Sequence, residues 1–350
     1  MKKALSLILA LAMSMSLVAC GAKEEPAPAP APAPAPEASQ PAETPAAPAE
    51  NYVYTGGRLT IGGADSTGTM YAAAAAIATT FGAKVEGLNV DATTSSGSNE
   101  NALNVQEGEI ELGMCSGDAA AAAVAGTGKF ESIGACEDIV AIGAVYASLS
   151  NWIALKSTGY EYLHDAVGGT FGIGPAASTS ESSALLGLGV AGITADNSTL
   201  QNVTLGDGAD NVANGIMTAA TAFAGIPVGA QLNASVTKDC VWLGFTDAEL
   251  DQILAANPSY YKAVIPAGTY NGQDADVPTF GVKCMVICNK SLDSELVYNL
   301  AKTLAENTEE MIAGNGVFAS MADPNFICND LPIALHDGAA AYYKDAGMLK

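Results

Sequence analysis

From Leu59 onward the chain alternates short apolar stretches with alanine-rich helical ones, and a loop of glycines and hydroxyls stands at each changeover. Leu59-Thr60-Ile61 reads as a strand ended by Gly62-Gly63, and Ala72 to Ala76 as the start of a helix capped by Ser66, Thr67 or Thr69. A second strand is expected between Lys84 and Asp91, then the loop Thr93 to Ser98, then a helix over ENALNVQEGE that stops at Gly108. Ile110 to Met114 form a third strand, and Ser116-Gly117-Asp118 open a third helix with Asp118 as its expected N-cap.

The apolar run Ile139 to Leu155 carries Tyr146, Ser148, Ser150, Asn151 and Trp152 and reads as a crossing between domains, because the pattern starts afresh after it. A strand over 169–174 leads to the loop Pro175 to Ser180 and a helix through Leu188. Val203-Thr204-Leu205 and Ala219 to Ala224 supply further strands, Gly225-Ile226-Pro227-Val228 a loop, and DAELDQILAANP a surface helix. Val277 to Cys288 then returns the chain to the first domain, followed by a helix from Asp293 to Ile312. Strand-helix alternation with short connections implies parallel sheets whose ligands lie beyond the carboxyl ends of the strands. A sheet that is started, interrupted by a second similar domain and then completed predicts an α/β, two-lobed fold of the periplasmic-binding-protein type (Venus flytrap, type II). It has parallel-rich sheets and a cleft between the lobes. Lobe I takes residues 58–150 and 278–350, and lobe II takes residues 151–277.

Composition changes the picture at the N-terminus. Lys2 and Lys3 precede an apolar run from Ala4 to Val18, and Leu17-Val18-Ala19-Cys20 forms a lipobox. Residues 1–19 therefore read as a lipoprotein signal peptide, with Cys20 as the acylated residue. The alternatives are an ordinary signal peptide and an anchor made from a run short of the usual ~20 residues. Residues 20–57 form a tether, and its stretch from Gly21 to Glu50 holds nine of the chain's sixteen prolines among alanines and acids. Such a tract cannot bury a core, and about thirty residues of polyproline II reach ~90 Å.

The remaining ~300 residues suffice for one large or two medium domains. Net charge is −23, and loss of Lys2 and Lys3 with the signal takes it to −25. That argues against nucleic acid and bare anionic membrane as partners. Arg58 is the only arginine, so an arginine clamp on an anion is not expected. Six cysteines remain after Cys20, namely Cys115, Cys136, Cys240, Cys284, Cys288 and Cys328, with no CxxC among them. They read as buried thiols ahead of disulfides, and no metal or cofactor is expected.

GGADSTGTMY at 62–71, GSNENALNVQEGEIELGMCSGD at 97–118, AGTGKF at 125–130, IPAGTYNGQDADVPTF at 265–280 and LHDGAAAYYKDAGML at 335–349 resemble, in order, segments of the TAXI-type solute-binding proteins of TRAP transporters. The resemblance implies an extracytoplasmic receptor, tethered to the cell membrane as a lipoprotein. It would close on an amino acid such as glutamate or a small carboxylate and deliver it to an ion-gradient-driven TRAP permease. Carried over position by position, the ligand contacts come from Ala64, Asp65, Ser66, Thr67, Gly68, Thr69 and Tyr71. Ser96, Gly97, Ser98, Asn99 and Asn101 follow, with Ser116, Gly117 and Asp118. The opposing lobe contributes Pro175, Ala176, Ala177, Ser178 and Thr179, and the loop Gly225, Ile226, Pro227 and Val228. Asp65, Thr67 and Met70 stand where the family usually has Ser, Gly and Tyr, and PAASTS replaces its usual P-G-S-G-T.

Each candidate also has a plain structural reading. Asp65 is either the partner of a ligand amine or a turn residue, and Asp118 either lines the cleft or caps its helix. Hydroxyls at a helix N-terminus can cap and bind at once, because only some N–H groups are used internally. Asn99 and Asn101 can fix a carboxylate or an amide, or simply shape a loop. Tyr71 and Tyr146 either wall the cleft or sit in the core, His336 reads as a structural residue opening the last helix, and His164 as surface. Two other classes compete with a receptor: a secreted lipoprotein hydrolase using a Ser or Cys nucleophile, and a lipid-anchored adhesin. No G-x-S-x-G elbow occurs and neither histidine lies in a nucleophile motif, so no enzyme is expected.

Overall fold

The computed structural model describes residues 52–350 apart from 65, 67 and 177. The signal segment, Cys20, the tether up to residue 51, and the candidates Asp65, Thr67 and Ala177 lie outside the described residues. The last tether positions are attached: Val53 bridges to Glu86, and the Tyr54 N–H donates to the Glu86 carbonyl at 2.8 Å.

In chain order the elements are β1 (Leu59–Gly62), α1 (Thr69–Lys84), β2 (Val90–Thr93), α2 (Ser98–Glu107), β3 (Leu112–Ser116), α3 (Gly117–Ala125) and β4 (Ile139–Leu155). There follow β5 (Thr170–Gly172), α4 (Thr179–Val190), β6 (Thr199–Gln201), α5 (Leu205–Ala213), β7 (Ala219–Ala224), α6 (Gly229–Thr237) and β8 (Cys240–Trp242). The chain ends with α7 (Asp247–Ala256), β9 (Tyr261–Ile265), β10 (Val277–Asn289), α8 (Ser294–Glu306), α9 (Thr308–Gly314), α10 (Pro324–Cys328) and α11 (Asp337–Asp345).

Among the described residues the ten strands belong to one mixed sheet in the order β2-β1-β3-β10-β4-β7-β5-β6, with β8 attached to β4 and β9 to β10. β1 runs parallel to β2 and β3, and β5 runs parallel to β6 and β7. Between these groups stand β4 and β10, antiparallel to each other and to every strand that flanks them. The run expected as a domain crossing is thus a single strand of 17 residues. Its first part pairs with β10, and Leu149 to Ala154 pair with β7. β10 likewise pairs with β3 through Cys284 to Cys288 and with β9 through Val277 to Gly281.

The helices cover both faces of each half. On one face of the first half, Ile61, Ile77, Phe81, Leu300 and Tyr343 form a core between β1, α1, α8 and α11. On the other, Ala102, Val105, Ala120, Met285 and Ile287 pack α2 and α3 against β10. Alanines at 73, 74 and 78 let α1 lie close to the sheet, and each buried large side chain contributes roughly 1.5–3 kcal/mol. In the second half, Trp152, Phe171, Leu188 and Phe280 fill one face, and Ile153, Val212, Trp242 and Ile265 the other.

Several element boundaries differ from the sequence reading. α1 continues to Lys84, the position from which the sequence predicts the second strand, and β2 begins only at Val90. The N-cap of α1 is Gly68, with no side-chain cap bond, so the expected hydroxyl cap is absent among the described residues and Thr69 is the first helical residue. Asp118 is not the cap of α3; Ser116 holds that position. Thr204, read as mid-strand, caps α5 by accepting from the Asp207 N–H at 3.0 Å. The helix expected from Asp293 to Ile312 breaks at Asn307 into α8 and α9.

Candidate ligand-binding site

The register of the sheet brings the two groups of predicted loops to one seam. β3 ends at Ser116, opposite Cys284; β7 ends at Ala224, opposite Leu149. Both ends therefore stop beside the middle of the strands β4 and β10, where Tyr146 to Leu149 lie opposite Cys284 to Gly281 at the end of their shared ladder. Gly225 meets the start of α1 there: a Cβ on it would sit 3.2 Å from Thr69 Cγ2, 2.8 Å from Val317 Cγ2 and 3.6 Å from the Tyr146 ring. A second link crosses the seam where the Tyr260 hydroxyl donates to Asp118 Oδ2 at 3.4 Å.

Directly paired residues in antiparallel strands point to the same face, and alternate residues along a strand share it. Ser116, Cys284, Val282, Tyr146, Ser148, Ser150, Trp152, Phe223 and Thr221 therefore occupy one face. It carries hydroxyls at Ser116, Ser148, Ser150 and Thr221, all buried. Ser148 Oγ lies 3.4 Å from Cys284 Sγ. Ser116 Oγ, Ser150 Oγ, Thr221 Oγ1 and Trp152 Nε1 are buried without a hydrogen-bond partner among the described residues. Such groups cost about 1–3 kcal/mol each unless something pairs them.

The opposite face is the control. Asn151 donates to the Leu149 carbonyl at 2.7 Å and accepts from the Tyr270 hydroxyl at 2.9 Å, while Tyr270 in turn accepts from the Val228 N–H at 3.0 Å. Gln231 joins the Asn151 carbonyl (3.2 Å) to the Trp242 indole N–H (2.9 Å). Lys283 also turns to this side, where its ammonium donates to the Phe326 and Asn329 carbonyls at 3.1 and 2.7 Å. Burial pulls its pKa below the ordinary lysine value, with Asp330, Cys328 and Asp323 offsetting part of the effect.

The predicted residues take different roles around the seam. The Ala64 carbonyl accepts from the Ser95 N–H at 3.2 Å, and Ser66 is exposed. Tyr71 packs on Gly63, whose added Cβ would lie 2.9 Å from the Tyr71 Cα. The N–H and hydroxyl of Ser96 both donate to Glu100, and Gly97 caps α2 at φ 112, where only glycine is unstrained. Ser98 Oγ accepts from the Ser116 N–H at 3.0 Å, joining α2 to the end of β3. The Asn101 amide nitrogen donates to the carbonyls of Gly62 (3.1 Å), Gly63 (2.6 Å) and Met114 (2.8 Å), so it clamps β1 to β3. Asn99 is half-buried beside it. Gly117 packs against the Lys283 carbonyl, Val282 and Pro332, which leaves no room for a side chain.

In the second half Pro175 and Ala176 are exposed, and Ser178 caps α4 by accepting from the Glu181 N–H at 3.2 Å while donating to the Pro175 carbonyl at 2.6 Å. Thr179 is the first residue of α4. Ser180 Oγ accepts from the Phe223 N–H at 3.2 Å and ties this helix start to the end of β7. The Ile226–Pro227 peptide is cis, and Val228 caps α6. Sequence reasoning did not place Ser148, Ser150, Thr221 or Tyr260 at the site. Alternating serines in an otherwise apolar strand, Ser148-x-Ser150, are a signal that could have pointed to the first two, and the sequence holds none for Thr221 or Tyr260.

The remaining chemistry lies away from the seam. His336 caps α11, with Nδ1 accepting from the Gly338 N–H and Nε2 facing the Leu292 carbonyl, both at 3.0 Å. His164 sits on Tyr162 and lies 2.9 Å from Glu249. Arg58 pairs with Asp91 at the far end of β1. Among the described residues the six cysteines are free and buried, and burial pushes the Cys284 thiol up to about 11. No group of three or more potential metal ligands occurs among the described residues.

Residues 61–347 match the model of the NMT1-like family. The chain belongs to that family. This NMT1-like chain is also similar in fold to solved binding proteins at low identity. One is the periplasmic aliphatic sulphonate-binding protein SsuA from Escherichia coli, with TM-score 0.47, 12% identity, and 82% of each chain covered. Another is the alkanesulfonate-binding protein SsuA from Xanthomonas axonopodis pv. citri bound to MOPS, with TM-score 0.43, 11% identity, and 76% of this chain and 82% of that one covered. A third is the substrate-binding protein of an amino acid ABC transporter, with TM-score 0.40, 13% identity, and 76% and 98% covered.

Proposed function

We propose that the protein is an extracytoplasmic solute receptor that holds one small polar metabolite in the seam. Its two lobes, residues 58–150 with 278–350 and residues 151–277, close on that solute. The observation that carries this reading is the contrast between the two faces of β4. Polar groups on one face are knitted together, while the seam face buries three hydroxyls and an indole N–H unpaired among the described residues. A bound solute supplies partners for the hydroxyls that stand at the seam, and withdrawing them from water makes selectivity for a matching polar ligand steep.

The same seam does not favour a hydrolase. Both histidines are engaged elsewhere, and the seam thiol Cys284 is held protonated by burial. The lipobox at Cys20 and the Pro/Ala tether support anchoring to the cell membrane as a lipoprotein, and no helix among the described residues is long and apolar enough to cross a membrane. The resemblance of the five sequence segments supports delivery to a TRAP permease and a solute that is an amino acid or small carboxylate. A thermal-shift panel of such compounds tests the reading. A true ligand at a hundred times its Kd stabilises by about 2.7 kcal/mol without turnover, whereas ester or peptide turnover with no stabilising compound overturns it.

A further inference from the structure

We propose that the solute carries a protonated amine, lodged between the Asp118 carboxylate and the Ser116 hydroxyl, with Tyr260 positioning Asp118. The assignment rests on the receptor reading above. It starts from the way α3 begins. Ser116 is the N-cap, with φ −71 and ψ 147, a conformation from which a serine hydroxyl ordinarily accepts from its own helix. Here it makes no such bond, is 3% exposed and has no partner among the described residues. Its pairing with Cys284 turns the side chain onto the seam face.

Two residues on, Asp118 uses Oδ1 to accept from the Ala119 N–H at 2.9 Å, and Oδ2 receives the Tyr260 hydroxyl at the long distance of 3.4 Å. Tyr260 is fixed by rings on its own side of the seam, with centroids 5.1 Å from Phe280 and 5.5 Å from Phe223. It therefore sets where the carboxylate stands. The positive end of the α3 dipole is already answered by this carboxylate, whose Oδ1 takes the Ala119 N–H. Lys283, between two residues that face the seam, points to the other face, and Arg58 is spent on Asp91. A second carboxylate placed here meets a like charge. An ammonium, with three donors and no acceptor, finds the Asp118 oxygen and the free lone pairs of Ser116.

A hydrogen bond between charged groups of this kind is worth about 1.5–3 kcal/mol, which is about tenfold or more in affinity. Isothermal titration with two matched pairs tests the assignment: L-glutamate against glutarate, and 4-aminobutyrate against butyrate. The full chain is expected to prefer an amine over its deaminated partner by about tenfold or more. Asp118→Asn and Ser116→Ala should collapse that ratio toward one, Asp118→Glu should keep most of it, and Tyr260→Phe should lower it about threefold. An unchanged melting temperature of the ligand-free variants shows that they fold. Equal affinity for both members of each pair, or an undiminished ratio in Asp118→Asn, overturns the assignment and leaves the receptor reading standing. No binding by any of the four compounds, or by the thermal-shift panel, overturns both.

Discussion

Gly225 and Thr69 touch across the seam, one at the end of β7 and the other at the first residue of α1, with a Cβ on Gly225 reaching to 3.2 Å from Thr69 Cγ2. The contact joins two elements 156 positions apart in sequence (225 − 69) and leaves no space for a larger residue, because Val317 closes it from a third direction. Gly225→Leu therefore wedges the halves apart, pressing on Val317 and the Tyr146 ring as well as on Thr69. Solute affinity should fall about tenfold or more, while the far-ultraviolet circular dichroism stays unchanged. Unaltered affinity would show that the contact has no part in closure.

Stability should depend on His336 below neutral pH. Its ring is held neutral: Nδ1 accepts from the Gly338 N–H, and Nε2–H is left to donate to the Leu292 carbonyl. Burial lowers its pKa from the ordinary 6.5, with the Leu292 hydrogen bond and Asp337 opposing the shift. A folded pKa below the unfolded one means that the unfolded chain takes up the proton first. The contribution is complete above the unfolded value and is lost as pH falls from there toward the folded value. Melting temperature measured from pH 7.5 to 5 should therefore drop more steeply for the natural chain than for His336→Asn, which keeps a capping side chain. Parallel curves would contradict this.

The six thiols should be silent. Cys115, Cys136, Cys240, Cys284, Cys288 and Cys328 are all buried and free, and burial raises the pKa of each of Cys115, Cys240 and Cys284. A thiol-exchange reagent at pH 8 should modify none of these in the native protein and all six after denaturation in urea. Rapid modification of Cys284 in the native state would mean that the seam stands open to solvent.

The fold was legible where local chemistry and tertiary packing agree. The strand-loop-helix units at Leu59, Ile110 and Thr170, the return strand through Cys284 and Cys288, and the buried thiols all follow from pattern alone. Two of the boundaries that failed are ones where a β-branched residue serves as a cap. Val85 ends α1 and Thr204 starts α5, although both residue types also favour strands. The loops around the seam were visible because glycines and hydroxyls gather there. Its floor was not, because Ser150 and Thr221 belong to strands whose pairing joins residues 71 positions apart (221 − 150), and only register reveals their shared face. Tyr260 escaped for the same reason, since its partner Asp118 lies 142 positions away.

Native mass spectrometry of the purified chain tests the central claim most directly. A receptor whose seam buries unpaired hydroxyls should carry, or take up from an amino acid and carboxylate panel, one small polar molecule per chain that leaves on denaturation. A chain that stays bare through the whole panel would contradict the account.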